Sequence, residues 1–338
     1  MSARAEGPAL LRVAVVGATG AVGGEVLALL ESRRFPLQAL VPIATERSLG
    51  DTVELLGHDV PVETDVAALA GLDLVIVCTP PGQGLGWVRR ALQERVACID
   101  LSGAVASAPE VPLLAADEDP APDALRQPVI AAPSGTVLAW RRVLAPLAAR
   151  AGLRRVVATA LEPVSGAGRA GVEALEAETR ALFNQQEPPE PQVFDHGIAF
   201  DCLPATGAPG ADGQTPFEEA LARDLARLLG RPLALAVTSL RIPIFAGAGA
   251  ALAVETEEVL EASACADLLA KTPGVALCAD APPGPTTRDS VGRDEVLVGR
   301  VRRDPTRETG LLLWIAADPI RLAAVNALRL AEARFRGA

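Results

Sequence analysis

The sequence predicts an α/β fold, with an N-terminal Rossmann-like, doubly wound parallel sheet followed by a C-terminal α+β domain. Three observations predict it. The run Leu11–Val16 is apolar almost throughout and rich in valine, the pattern of a parallel strand buried on both faces. Gly17, Gly20 and Gly23 follow at once, and an apolar helical pattern opens at Val22. Strand-like and helix-like runs then alternate up to Pro133, and the character of the chain changes beyond it. A length of 338 residues suits two domains.

The elements follow in order. Residues 22–30 read as a helix ending near Arg33, and Leu37–Ile43 as the second strand. Strands are predicted over 72–77 and 96–99, with a helix over 87–93 between them. After Pro133 a helix is predicted over 138–151, a strand over 155–160 and a regularly spaced amphipathic helix over 172–183. The Pro-rich stretch 187–191 reads as a loop and 220–229 as a helix. Later strands are predicted over 233–237, 251–256, 296–301 and 311–315, and a last helix over 321–334. Gly and Pro mark surface loops at 204–213 and 281–287, and the first ten residues read as a loose tail. No internal repeat is visible.

Composition excludes several functions. The net charge is −11 and no basic cluster is dense enough to hold a polyanion, which argues against nucleic-acid binding. Five scattered cysteines without a Cys-x-x-Cys pair argue against a disulfide framework and for a reducing compartment. Only two histidines are present, His58 and His196, so a Cys/His metal site is not expected. No signal-peptide pattern and no membrane-spanning apolar run are seen. A cytoplasmic protein is expected.

The loop Gly17-Ala18-Thr19-Gly20-Ala21-Val22-Gly23 lies between a strand and a helix, the context that gives a glycine pattern meaning. The first glycine permits the tight turn and the second lets the backbone approach a pyrophosphate. The helix N-terminus then offers N–H groups and a positive dipole to the anion. Gly17, Thr19, Gly20, Ala21 and Val22 are therefore candidate cofactor residues. Strand two ends in Ala44-Thr45-Glu46-Arg47-Ser48. Thr45, Arg47 and Ser48 suit a 2′-phosphate, with Arg47 as the charge partner, and so favour NADP. Glu46 keeps NAD open, because an acid there can hold a ribose 2′-hydroxyl.

With these motifs in place, the chain resembles the aspartate-β-semialdehyde dehydrogenase family over nearly its whole length. Gly17–Gly23 matches the family's first loop, and 45–50 resembles Ser-Glu-Arg-Ser-Ala-Gly. Val164-Ser165-Gly166-Ala167-Gly168 matches Val-Ser-Gly-Ala-Gly, and Arg241-Ile242-Pro243-Ile244-Phe245 resembles Arg-Val-Pro-Val-Phe. Ile198-Ala199-Phe200, Gly299-Arg300, Leu313-Trp314 and Asn326-Ala327 fall on further family patterns. The resemblance implies that Ser165, Gly166 and Gly168 lie near the nicotinamide and adds Asn326 to the cofactor set. It implies an NAD(P)-binding domain over 1–133, with 317–338 packing back on it, and a substrate-binding and dimerisation domain over 134–316. A homodimer is expected.

The family's reaction, a step of amino-acid biosynthesis, is reductive dephosphorylation of an aspartyl phosphate. A cysteine thiolate attacks, a histidine moves protons and NADPH delivers hydride. The family's Asn-Pro-Asn-Cys-Ser-Thr segment here reads Ala132-Pro133-Ser134-Gly135-Thr136-Val137, so the nucleophile position is Gly135. The histidine position is Ala248, and the phosphate-binding arginine position is Ala106. Ser134 and Thr136 read as turn and helix-cap residues. His196 falls on a family histidine that is not the proton shuttle and reads as a partly buried structural residue. A family glutamine maps onto Glu162, and the arginine that pairs with the substrate carboxylate is kept as Arg241. Arg241 suits either a small carboxylate ligand or an ion pair with Glu162.

The expected reading is a divergent paralogue, similar to the USG-1-type homologues, that binds NADP(H) and dimerises but has lost thiol chemistry. It would then serve as a pseudoenzyme or regulatory partner. Two alternatives stand beside it. One is an oxidoreductase reducing an aldehyde or oxo group of a small carboxylate by direct hydride transfer, with Glu162 or His196 supplying the proton and Arg241 holding the carboxylate. The other is a structural subunit paired with an active paralogue.

Overall fold

The computed structural model describes residues 10–64, 69–278 and 283–336. The chain divides into two compact units, Met1–Ser134 with Ala323–Ala338, and Gly135–Leu322. Residues 1–9 of the expected tail and 281–282 of the expected 281–287 loop lie outside the described residues.

In the first unit, β1 (Leu11–Val16) runs into α1 (Ala21–Ser32) and then β2 (Leu37–Ile43). A small antiparallel hairpin follows, β3 (Thr52–Leu55) and β4 (His58–Pro61). It turns through Leu56 and Gly57, both at positive φ, 52° and 75°, as a tight hairpin turn demands. Next come β5 (Leu74–Val77), α2 (Pro81–Glu94), β6 (Ala97–Asp100), the one-turn α3 (Pro122–Leu125) and β7 (Val129–Ala131). The main sheet has the order β2-β1-β5-β6-β7, with every neighbouring pair parallel. β1 sends its first crossover to β2 on one side, and β5 enters on the other. The carboxyl ends of β1 and β5 therefore frame the switch point where open α/β sheets bind ligands.

β1, β5 and β7 are short and largely apolar because both faces are covered, whereas the edge strand β2 is only part-buried. Val13, Val15, Leu74, Ile76, Ile99 and Ile130 are all fully buried. The chain's last helix, Pro319–Phe335, contributes Ala324, Leu328 and Ala331 to the same core. Its polar side chains fasten it, Arg33 to Glu332 at 3.2 Å and Arg334 to the Leu125 and Gln127 carbonyls.

The second unit opens with α4 (Gly135–Ala151) and β8 (Leu153–Pro163). After α5 (Gly168–Phe183) and α6 (Pro216–Leu228) come β9 (Leu235–Ile242), β10 (Ala248–Thr256), α7 (Ala262–Ala270), β11 (Val275–Leu277), β12 (Val296–Arg303) and β13 (Gly310–Ala317). They build a six-stranded mixed sheet, β11-β12-β13-β10-β8-β9. The architecture is thus α/β, a Rossmann-like parallel sheet followed by a domain with a mixed sheet.

Several elements differ from the pattern reading. α6 starts at Pro216, not at 220, because Thr215 and Glu218 form a reciprocal capping box that fixes the first turn. α4 begins at Gly135, three residues before the predicted 138. β8 continues to Pro163 and β9 to Ile242, so Glu162 and Arg241 sit within strands instead of beyond their ends. The β3–β4 hairpin, β7, α7 and β11 were not predicted. The two compact units part after Ser134 and after Leu322.

Candidate functional site

The glycine loop is shaped as a nucleotide turn. Gly17 sits at φ +83°, and its amide and that of Ala18 both donate to the Ile43 carbonyl at the end of β2. A Cβ on Gly23 would lie 2.1 Å from the Gly17 carbonyl oxygen, so only glycine lets α1 approach the loop this closely. Gly20 caps α1, and no side chain caps the helix N-terminus. Thr19 and Ser48 share a hydrogen bond at 3.1 Å, which brings the glycine loop and the segment after β2 together. Ser48 is buried, whereas Thr45, Glu46 and Arg47 are exposed beside it. Next to Gly17 lies Thr79, just past β5, whose Oγ is buried without a hydrogen-bond partner among the described residues. An uncapped helix end, a glycine turn and an idle buried hydroxyl at a switch point fit a dinucleotide.

Not every candidate cofactor residue is arranged in this way. Asn326 is buried, accepts from the Ala116 amide at 2.7 Å and donates to the Leu114 carbonyl at 3.2 Å. Its amide ties the last helix to the 114–116 loop. Ser165 and Gly166 lie in a 3₁₀ turn, Val164–Ala167, within the second unit, and Gly168 follows at φ +73°.

Position 106 lies in a loop folded by Asp100. This buried carboxylate accepts from the Ser102 amide at 2.9 Å, the Ser102 hydroxyl at 2.5 Å and the Val105 amide at 3.2 Å. Ala106 is itself buried.

Within the second unit the structure gathers Gly135, Thr136, Glu162, Arg241 and Ala248. Glu162 on β8 and Arg241 on β9 are register partners in a parallel pair, so they rise from neighbouring strands. Glu162 is 5% exposed. Thr136 Oγ1 donates to Glu162 Oε1 at 3.1 Å. Burial raises the Glu162 carboxyl above its ordinary range, against the smaller opposing pull of Arg241 and the Thr136 hydrogen bond. The Arg241 guanidinium is also buried and donates to the Pro163 carbonyl. Burial lowers its pKa, but a guanidinium stays charged. A cation therefore faces a carboxyl biased toward its neutral form.

Around Glu162, the side chains of Thr136, Trp140, Ala248, Ile315 and Pro319 leave a void of about 10 Å³, room for about one water. Gly135 is closed more tightly still. A Cβ built there would lie 1.8 Å from the Pro319 carbonyl oxygen and 2.4 Å from Pro319 C and Cα. These are backbone atoms, so no rotamer change relieves the clash. Nor do the buried thiols offer a substitute. Burial and Asp100 raise the pKa of Cys98, and burial raises that of Cys265 to about 12. All five cysteines are free. No cluster of metal-ligating groups occurs among the described residues.

His196 corrects an expectation. It is exposed, not partly buried. The backbone after it is held by Glu178, whose buried carboxylate accepts the Ile198 and Ala199 amides at 2.7 and 2.9 Å. That acid was absent from the sequence reading, and its only signal is a glutamate on the inner face of α5.

Residues 12–121 match the family model "Semialdehyde dehydrogenase, NAD binding domain", and residues 144–322 match "Semialdehyde dehydrogenase, dimerisation domain". Aspartate-semialdehyde dehydrogenase of Aquifex aeolicus (strain VF5) is 34% identical over 330 residues, covering 95% of this chain and 97% of its own. The chain belongs to the aspartate-semialdehyde dehydrogenase family. A USG-1 protein homolog of Azotobacter vinelandii, 34% identical over 326 residues, covers 95% of this family member and 96% of its own length. The crystal structure of aspartate semialdehyde dehydrogenase II from Vibrio cholerae superposes with a TM-score of 0.90 at 31% identity, over 97% of this chain and 99% of that one. The first unit thus carries the family's NAD(P)-binding domain and the second its dimerisation domain. No helix among the described residues is long and apolar enough to cross a membrane.

Proposed function

We propose that this family member binds NADP(H), forms a homodimer in the cytoplasm and has given up thiol-based reductive dephosphorylation, serving as a binding or regulatory partner. The observation that carries the reading is the closure of Gly135 by the Pro319 backbone. The nucleophile position has neither a thiolate nor room for one, and Ala248, which lines the void with Thr136 and Glu162, offers no imidazole. Loss of a nucleophile that works as part of a unit lowers kcat by about a millionfold, and further losses add little. From a typical ~10 s⁻¹ that leaves on the order of 10⁻⁵ s⁻¹. The glycine loop, the Thr19–Ser48 contact and exposed Arg47 support NADP(H) as the ligand. When bound, the nicotinamide supplies hydride. Calorimetric titration with NADPH and NADH, together with an assay on aspartate semialdehyde, tests the reading. Binding of NADPH without turnover is expected, and robust phosphate-dependent oxidation of that substrate by the pure protein, with NADP⁺ reduced to NADPH, refutes it.

One observation favours a second reading. Glu162 is biased toward its protonated form a strand away from a buried arginine. A neutral carboxylic acid beside a fixed cation suits proton donation to the oxo group of a small carboxylate held by Arg241, with no covalent intermediate. Reduction of such a substrate, abolished in both E162Q and R241A, would establish it. Co-purification with an active paralogue would point to a heterodimer in place of the homodimer.

A further inference from the structure

The hydroxyl of Thr79 has no role in the packing around it. Thr79 follows β5 at the point where strand order reverses, and it touches the glycine loop. A Cβ on Gly17 would lie 3.3 Å from Thr79 Cγ2 and 3.0 Å from the Cys78 carbonyl oxygen. Thr79 Oγ1 is closed to solvent and has no partner among the described residues. Valine has the same shape and would fill the space without an orphaned group, so the hydroxyl is a net loss to the free protein. On a β-branched carbon, a rotation of about 120° between staggered positions moves the hydroxyl to a new direction. One such position is that of the methyl now facing Gly17, beside the turn that approaches a pyrophosphate.

We propose that Thr79 is a dinucleotide ligand. Its hydroxyl is idle in the free protein and donates to an oxygen of the ADP-ribose half once the cofactor seats on the Gly17 loop. The inference rests on the dinucleotide-binding reading above. Nothing in the local sequence, Cys78-Thr79-Pro80-Pro81, announces it; the unpartnered oxygen does.

Calorimetric titrations of NADPH and of ADP-ribose into the unsubstituted protein, T79V and T79S test it, with melting curves of each free protein. T79V is expected to bind both ligands about tenfold more weakly. Without ligand it should melt roughly 2–4 °C higher, because the orphaned hydroxyl is gone. T79S keeps the hydroxyl and should keep the affinity. Unchanged affinity of T79V for both ligands overturns the proposal, as does a loss seen with NADPH but not with ADP-ribose. Failure of the unsubstituted protein to bind either ligand would instead overturn the dinucleotide-binding reading itself, and this inference with it.

Discussion

Replacing Gly135 by alanine adds one carbon where the Pro319 carbonyl oxygen already stands. The built Cβ lies 1.8 Å from that oxygen, roughly 1.5 Å short of an ordinary van der Waals contact. The blocking atoms are main chain at both ends of the conflict, so relief requires the start of α4 or the 319 segment to move. Overpacking of this kind costs typically 1–3 kcal/mol, and a backbone clash belongs at the upper end, ~3 kcal/mol. In a unit of this size each kcal/mol shifts the melting temperature by about 2–4 °C, giving a fall of roughly 6–12 °C for G135A. Scanning calorimetry reads the shift. Gly86 on α2 is the control, since a Cβ there meets nothing within 4 Å and Gly→Ala inside a helix stabilises by about 0.5–1 kcal/mol. If G135A melts with the unsubstituted protein while G86A moves upward, the closure at Gly135 is not real. Lost thiol chemistry would then follow from the absence of a thiol at 135 alone.

Four further outcomes are expected. E162Q should change the pH profile of stability: a buried carboxyl whose folded pKa lies above its ordinary 4.5 contributes fully below that value and loses its contribution as pH rises through the folded pKa. The melting-temperature difference between E162Q and the unsubstituted protein should therefore grow from pH 4.5 upward, and a pH-independent difference would contradict the assignment. T136V removes the donor to Glu162 and should destabilise by about 1–2 kcal/mol in chemical denaturation. R47A should weaken NADPH binding about tenfold and leave NADH binding unchanged, with a salt dependence that disappears in the variant; equal effects on both cofactors would remove Arg47 from a 2′-phosphate site. E178Q replaces one accepting oxygen by a donor, so the Ile198 and Ala199 amides should exchange hydrogen faster, read by mass spectrometry with peptide resolution.

How much of this was legible in the sequence varies by element. β1 falls within the predicted bounds because a strand buried on both faces must be apolar at nearly every position, leaving little to misread, and the edge strand β2 was legible from its apolar run although only Pro42 and Ile43 of it are buried. The glycine loop was legible for a related reason, since each glycine meets a steric demand set by its immediate neighbours in the chain. β7 escaped because three residues, Val129–Ala131, carry no periodicity. The β3–β4 hairpin escaped because its turn uses Leu56, a residue that ordinarily avoids positive φ. β8 and β9 were cut short because Glu162 and Arg241 look like strand ends to a hydrophobicity pattern. Inside the sheet each charge is buried, with Thr136 and the Pro163 carbonyl as hydrogen-bond partners. The positions that the resemblance assigns to nucleophile and proton shuttle, Gly135 and Ala248, rest on flanking motifs. That Pro319 fills the first of them could not be found in this way, because the contact joins residues at opposite ends of the second unit. The orphaned Thr79 hydroxyl was equally invisible, since burial without a partner is a property of three-dimensional packing.

The carbonyl lodged against Gly135 also works as a ratchet. Every amino acid other than glycine brings a Cβ, so each single mutation at 135 meets the same oxygen before its chemistry can matter. A lineage carrying this sequence cannot gain a thiol there and be rewarded for it in one step. The 319 segment must yield first, and yielding brings no catalytic benefit while position 135 is still glycine. On the proposed reading, the backbone of one proline thus makes the loss of a thiol hard to reverse.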